Sequence, residues 1–193
     1  YLGEDWDEYQ IGFVPKTDPT EEQKRRVIEF AKLIHKSDFD EFEERYEEYL
    51  DVDQYLRFLA CNVIVCNLDS FLGGSQNHYI YLDPESNKFQ FLPWDMDHSF
   101  GAFHMMGDPN ARRRLSIDRP VTDNPPIIDR VLQVSGNKEK YHAYIKEYMN
   151  TIFDESVMLK KIESIGDFVR PMVNLNGSDA ESRFDKVLAD KPS

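Results

Sequence analysis

Apolar residues recur along this chain in two rhythms, and each predicts a different element. Val27, Phe30, Ala31 and Ile34 fall three and four positions apart, the spacing of one helical face. Asp18-Pro19-Thr20-Glu21 precedes them with an N-cap, a proline at the first helical position and an acid three residues after the cap, so the helix is expected to be capped by Asp18. A second stripe, Phe39, Phe42, Tyr46, Tyr49 and Leu50, starts near Asp38 and backs onto a glutamate-rich face that reads as solvated surface. Asp51 caps a third helix bearing Tyr55, Leu56, Leu59, Ala60, Val63 and Ile64. This one is apolar nearly all round and is expected to be the buried central helix.

The rhythm then shortens to two. His78-Tyr79-Ile80-Tyr81-Leu82 and Lys88-Phe89-Gln90-Phe91-Leu92 alternate as strands, and Asp83-Pro84-Glu85-Ser86-Asn87 between them carries turn chemistry, which predicts a hairpin. Aromatic and β-branched residues around Tyr9–Val14 predict a short strand near the start. Helical spacing returns over about 125–135, 137–152, 154–173 and, more weakly, 179–189, after an irregular stretch at 101–126. The fold class is α+β, mainly α, with one central β-hairpin and a C-terminal helical bundle, read as a single domain over 1–193.

Charge narrows the partners. The chain has 36 acidic and 23 basic residues, a formal charge of −13, which argues against nucleic acid or an anionic membrane, because both need a basic face. Divalent cations remain open, and a nucleotide site would have to build a local positive patch. No window reaches the roughly 18–20 apolar residues of a membrane span. Cys61 and Cys66 lie five apart in a helical reading, on different faces, and are expected as buried thiols without a mutual disulfide. The chain opens at Tyr1 without a methionine, which predicts a piece of a longer protein.

Chemistry-bearing residues gather at two points. Asp69 and Asn77 flank the glycine loop after the central helix, and Asp95 and Asp97 leave the second strand. A hairpin of this length brings its ends together, so Asn77 and Asp95 are expected to be neighbours with Asp69 beside them. Phosphoryl transfer uses such a set: one carboxylate positions the attacking hydroxyl and accepts its proton, while an amide oxygen and a second carboxylate hold Mg²⁺ against the phosphates. The order Asp, Asn, hairpin, Asp is that of protein kinases. The spacing is not, because eight positions separate Asp69 from Asn77 and neither H-R-D nor D-F-G is present.

Three stretches carry a closer resemblance. They are Leu59 to Ser70 with its Asn67-Leu68-Asp69, Gln76 to Asp83 with its Asn77-His78-Tyr79, and Phe91 to Gly101 with its Pro93-Trp94-Asp95-Met96-Asp97. Together they resemble the core signature of the CotH kinase family, spore coat protein H-like atypical protein kinases. The flanks agree at Asp51-Val52-Asp53 and at Pro126 to Leu132, and the similarity covers about four-fifths of the chain. The resemblance implies an atypical protein-kinase-like large lobe, with most of the small lobe upstream of Tyr1. It also implies a kinase that moves the γ-phosphate of Mg-ATP (Mn²⁺ serving as an alternative metal) onto Ser or Thr of protein partners. Position by position, Asp69 matches the catalytic Asp and Asp95 the metal-binding Asp. Asn77 is the matching amide ligand, Asp97 a second-metal or outer-shell acid, and Trp94 a wall stacking on adenine. Spore coat, cell surface or secretion are the settings the family implies.

Other readings stand beside these. The same fold without chemistry would be a coat or adhesin scaffold. Asp-x-Asp after a strand also suits a Ca²⁺ site or a metal-dependent glycosyltransferase, although the parallel βα repeats of a nucleotide-sugar domain are absent. Asp69 can serve as a loop cap, Trp94 as core, and Arg112-Arg113-Arg114 as an exposed basic run or a phosphate clamp. His78, His98 and His104 have no zinc-binding spacing. Lys16 is the one lysine before the first long helix and takes no assigned role.

Overall fold

The computed structural model describes residues 1–105, 116–118 and 125–189, so Arg112-Arg113-Arg114 lie outside the described residues. Two units separate along the chain, Tyr1–Ile145 and Lys146–Ser193. The first unit opens with a correction. Where a strand was expected near Tyr9, the chain makes a single helical turn, α1 (Trp6–Tyr9), because Asp5 caps it by accepting from the Asp7 N–H. The Tyr9 ring is buried, and its hydroxyl donates to Gly3 O at 3.1 Å, closing the segment on itself in place of strand pairing.

Helix α2 (Glu21–Lys36) is capped by Thr20, not Asp18. Thr20 Oγ1 accepts from the Gln23 N–H while Gln23 Oε1 accepts from the Thr20 N–H, and this reciprocal box satisfies two orphan donors where Asp18 would satisfy one. Its inner face is also turned from the expected stripe: Ile28, Phe30 and Leu33 are buried, and Val27, Ala31 and Ile34 are half-buried. Helix α3 (Phe39–Tyr49) is capped by Asp38, and helix α4 (Val52–Ile64) by Asp51, as the sequence predicts. Tyr55, Leu56, Leu59 and Ala60 of α4 are fully buried, which makes it the central helix.

The hairpin forms in the expected place. Strands β1 (His78–Leu82) and β2 (Phe89–Pro93) pair antiparallel with Tyr79 opposite Leu92 and Tyr81 opposite Gln90. Asn87 closes the turn at φ 55°, a left-handed conformation that asparagine tolerates. Phe89 and Phe91 face inward. The Phe91 ring lies 5.0 Å from Tyr55, 5.4 Å from Phe71 and 5.7 Å from Phe58, an aromatic core that welds β2 to α4. Helices α5 (Pro126–Gln133) and α6 (Asn137–Met149) follow. Arg130 of α5 donates to Ile34 O, Ser37 O and Asp38 O at 2.7, 3.0 and 2.5 Å, capping the carbonyl end of α2, and its guanidinium stacks on Phe42 at 4.5 Å.

The second unit is a helical pair, α7 (Glu155–Asn174) and α8 (Ser178–Ala189). Gly166 permits their close approach: a Cβ there would come within 3.2 Å of Leu188 Cδ1. Arg170 and Asp185 pair across them at 2.8 Å. Eight helices and one two-stranded sheet among the described residues make the chain α+β, mainly α. None of these helices is long and apolar enough to cross a membrane.

Candidate functional site

Helix α4 holds the site at both its ends. At its start, Asp51 accepts from the Gln54 N–H through Oδ1, donates its own N–H to Phe89 O at 3.0 Å and accepts from Gln90 Nε2 at 3.1 Å. One turn on, the Gln54 amide grips Phe91 twice, Nε2 donating to the carbonyl at 2.5 Å and Oε1 accepting from the N–H at 2.8 Å. The side chain thus supplies both bonds that a third strand would give β2. The start of α4 therefore fixes β2, the strand that leads into Trp94 and Asp95.

At its end, α4 turns sharply. Cys66 takes φ 47° where glycine commonly sits, and the Asn67 N–H bonds back to Asn62 O at 3.1 Å. Leu68, Ser70, Phe71 and Leu72 are buried, and Ser70 Oγ donates to Asn67 O at 2.5 Å. Asp69 alone in this run stays half-exposed, so anchored neighbours present its carboxylate at the surface of the site.

Asn77 joins the pieces. Its Nδ2 donates to the Asp69 backbone O at 2.6 Å, which leaves Oδ1 on the other arm of the amide, and its own carbonyl accepts from the Trp94 N–H at 3.2 Å. Gln76 Nε2 also donates to Asp69 Oδ1. The structure thus brings Asp69, Asn77 and Trp94 together, with Asp95 next in the chain. Asp97 sits on the short 3₁₀ turn Met96–His98, exposed, with no bond to Asp69 or Asn77. Among the described residues neither Asp95 nor Asp97 has an ion-pair partner. Trp94 is exposed, not core, and meets Tyr79 edge-on at 5.2 Å, while Lys16 Nζ lies 5.9 Å above the same Tyr79 ring.

The backbone is strained where these residues lie. Cys66, Ser75, Asn77, Asp95 and Phe100 all have φ between 47° and 61°, and each non-glycine residue there costs on the order of 1 kcal/mol or more. Such strain persists only where packing over-determines it, as it does on both sides of this loop cluster. His78 is turned inward between Phe71 and Phe91, and burial lowers its pKa from the ordinary imidazole value. Cys61 and Cys66 are half-buried, not buried as expected, and neither is in a disulfide.

Asn77, Asp95 and Asp97 offer a cation oxygen only, the donor type Mg²⁺ takes. Among the described residues no three His, Cys, Asp or Glu side chains converge on a point. Gln54, Gln76 and Asn67 were missed at sequence level as supports of this site. Gln76 and Asn67 lie within two residues of predicted site residues, which marks their neighbourhood but not their partners; Gln54, one of several polar residues on α4, gave no signal.

The comparisons with known proteins agree on one family. The description "CotH kinase protein" matches residues 4–187. Inner spore coat protein H of Bacillus subtilis (strain 168) is 26% identical over 92% of this chain and 47% of its own length. Two proteins of Rhizopus delemar also match: Invasin CotH3, 25% identical over 65% of this chain and 22% of its own, and Invasin CotH7, 24% identical over 82% and 27%. The chain therefore spans about half the length, or less, of these curated relatives. A match over nearly its whole length, with Asn67-Leu68-Asp69, Asn77-His78-Tyr79 and Pro93-Trp94-Asp95 assembled in one loop cluster, places the chain in the CotH kinase protein family.

Proposed function

We propose that this chain carries the catalytic and metal-binding loops of an atypical protein kinase, moving the γ-phosphate of Mg-ATP to Ser or Thr of protein substrates. The observation that carries the reading is the bond from Asn77 Nδ2 to Asp69 O, together with the Trp94 N–H on Asn77 O. It ties the general-base loop to the metal loop and leaves the amide oxygen of Asn77 and the carboxylate of Asp95 as ligands. Asp69 orients the acceptor hydroxyl and takes its proton, a contribution of about 10²–10⁴-fold in enzymes that use one. Asn77 and Asp95 hold Mg²⁺, Asp97 supports them, and the exposed face of Trp94 stacks on adenine. A Mg²⁺ held by Asn77 and Asp95 would supply charge neutralisation at the phosphoryl group.

Asp69→Ala is expected to abolish transfer while keeping Mg²⁺-dependent ATP binding, and Asp95→Ala to lose that binding. Equal nucleotide affinity in the two variants, measured by calorimetry, would refute this division of roles. A second reading has its own support in the printed names of the relatives, spore coat protein and invasin, none of which speaks of catalysis. On that reading the fold is a coat or cell-surface scaffold, and both variants would bind their protein partner as the native chain does.

A further inference from the structure

We propose that Asn67 is a positioning residue that fixes the Asp95–Asp97 loop at its distance from Asp69, a role that rests on the phosphotransfer reading above. Asn67 is fully buried two residues before Asp69, and its Nδ2 donates to the Sδ of Met96, the residue between the two acids, at 3.1 Å. The same two segments are stapled through the backbone: the Phe100 N–H donates to Val65 O at 2.5 Å and the Gly101 N–H to Cys66 O at 3.2 Å. Asn67 is the side-chain rung of that ladder. Its own backbone is pinned on both sides, by Asn62 O and by the Ser70 hydroxyl, so it moves with Asp69 and not with the loop it holds.

The bond to Met96 uses one arm of the Asn67 amide. Here Oδ1 is buried with no protein partner among the described residues, and so is Ser99 Oγ on the loop that the amide holds. A buried oxygen without a partner costs stability, and a thioether is a weak acceptor for the other arm. An apolar side chain of the same size would therefore serve folding as well or better. What leucine could not do is tether Met96, and through it set where Asp95 and Asp97 stand.

The test is Asn67→Leu in the full chain with Mn²⁺ alone as probe. Its thermal midpoint should stay level or rise, amide exchange at Phe100 and Gly101 should quicken about tenfold, and the Mn²⁺ dissociation constant should rise about tenfold, as for lost supports of metal ligands elsewhere. Met96→Leu keeps the volume, removes the acceptor and should move both readouts the same way, with the double variant adding little to Asn67→Leu. Unchanged exchange and Mn²⁺ affinity in Asn67→Leu overturn the proposal alone. So does a loss of both in step with the thermal midpoint, which marks a merely structural role. A native chain that binds no Mn²⁺, either alone or with ATP, overturns the phosphotransfer reading and the proposal with it.

Discussion

Replacing Gln54 with methionine keeps the length and volume of the side chain and removes only its amide. Phe91 is buried, and its N–H and carbonyl both bond to that amide, at 2.8 and 2.5 Å. Ile80 lies opposite on β1, but the Phe91 backbone groups that face Gln54 point along the outer edge of the sheet, away from that partner. Orphaning a buried donor or acceptor costs about 1–3 kcal/mol. Two on one residue, partly relieved by water at the strand edge, come to about 3 kcal/mol. For a chain of this size that is a fall in melting temperature of about 6–12 °C. Both tryptophans, Trp6 and Trp94, lie in the first unit, so fluorescence-detected unfolding reports the part of the molecule that the change affects. Gln54→Glu, which keeps the acceptor but sets a carboxylate oxygen against Phe91 O, should fall at least as far. A melting temperature within about 2 °C of native for Gln54→Met would refute the account of how α4 holds β2.

Arg130→Lys should cost about 1–2 kcal/mol in urea unfolding, because an ammonium cannot fork onto the Ile34, Ser37 and Asp38 carbonyls where α2 passes into α3, or stack flat on Phe42. The Tyr144 hydroxyl and Arg57 both bond Asp53 and hold its pKa below the ordinary value of 3.8. Its stabilising contribution is thus present above that value and lost as pH falls through the lower folded pKa, so Asp53→Asn should flatten the acid limb of a stability–pH curve without changing its slope near neutrality. Asp118, held by Lys138 and His142, is shifted in the same direction, and Asp118→Asn should act likewise, read by amide exchange at residues 116–118.

Much of this was legible in the sequence. Alternation over five residues on each side of a turn is a short-range signal, and the hairpin lies where it was read. Asp38 and Asp51 cap their helices because each is the one side chain placed to reach the third N–H. At the start of α2 two candidates competed, and Thr20 prevailed because Gln23 could reciprocate. The segment around Tyr9 misled because its β-propensity had no partner strand to pair with, leaving Asp5 to start a helical turn instead. In the site, Asn77 and Asp95 were expected as neighbours with Asp69 beside them; Asn77 bonds to Asp69 and to Trp94, the residue before Asp95. The supports were not legible, because Gln54 grips a strand 37 residues away and Asn67 a methionine 29 residues away. Asn77 and Asp95 take left-handed conformations, which Asn and Asp tolerate, but residue type alone does not say which of the chain's many Asn and Asp residues will do so.

The central claim is best tested by transfer of labelled γ-phosphate from ATP, with Mg²⁺ or Mn²⁺, to a serine-rich protein. The chain would be run beside a longer form that matches its relatives in length, each with an Asp69→Ala control. Transfer by the native protein that falls at least 10²-fold in Asp69→Ala is the predicted result. Equal transfer by native protein and Asp69→Ala, or none by either form together with no metal-dependent ATP binding, would contradict it and leave the scaffold reading in its place.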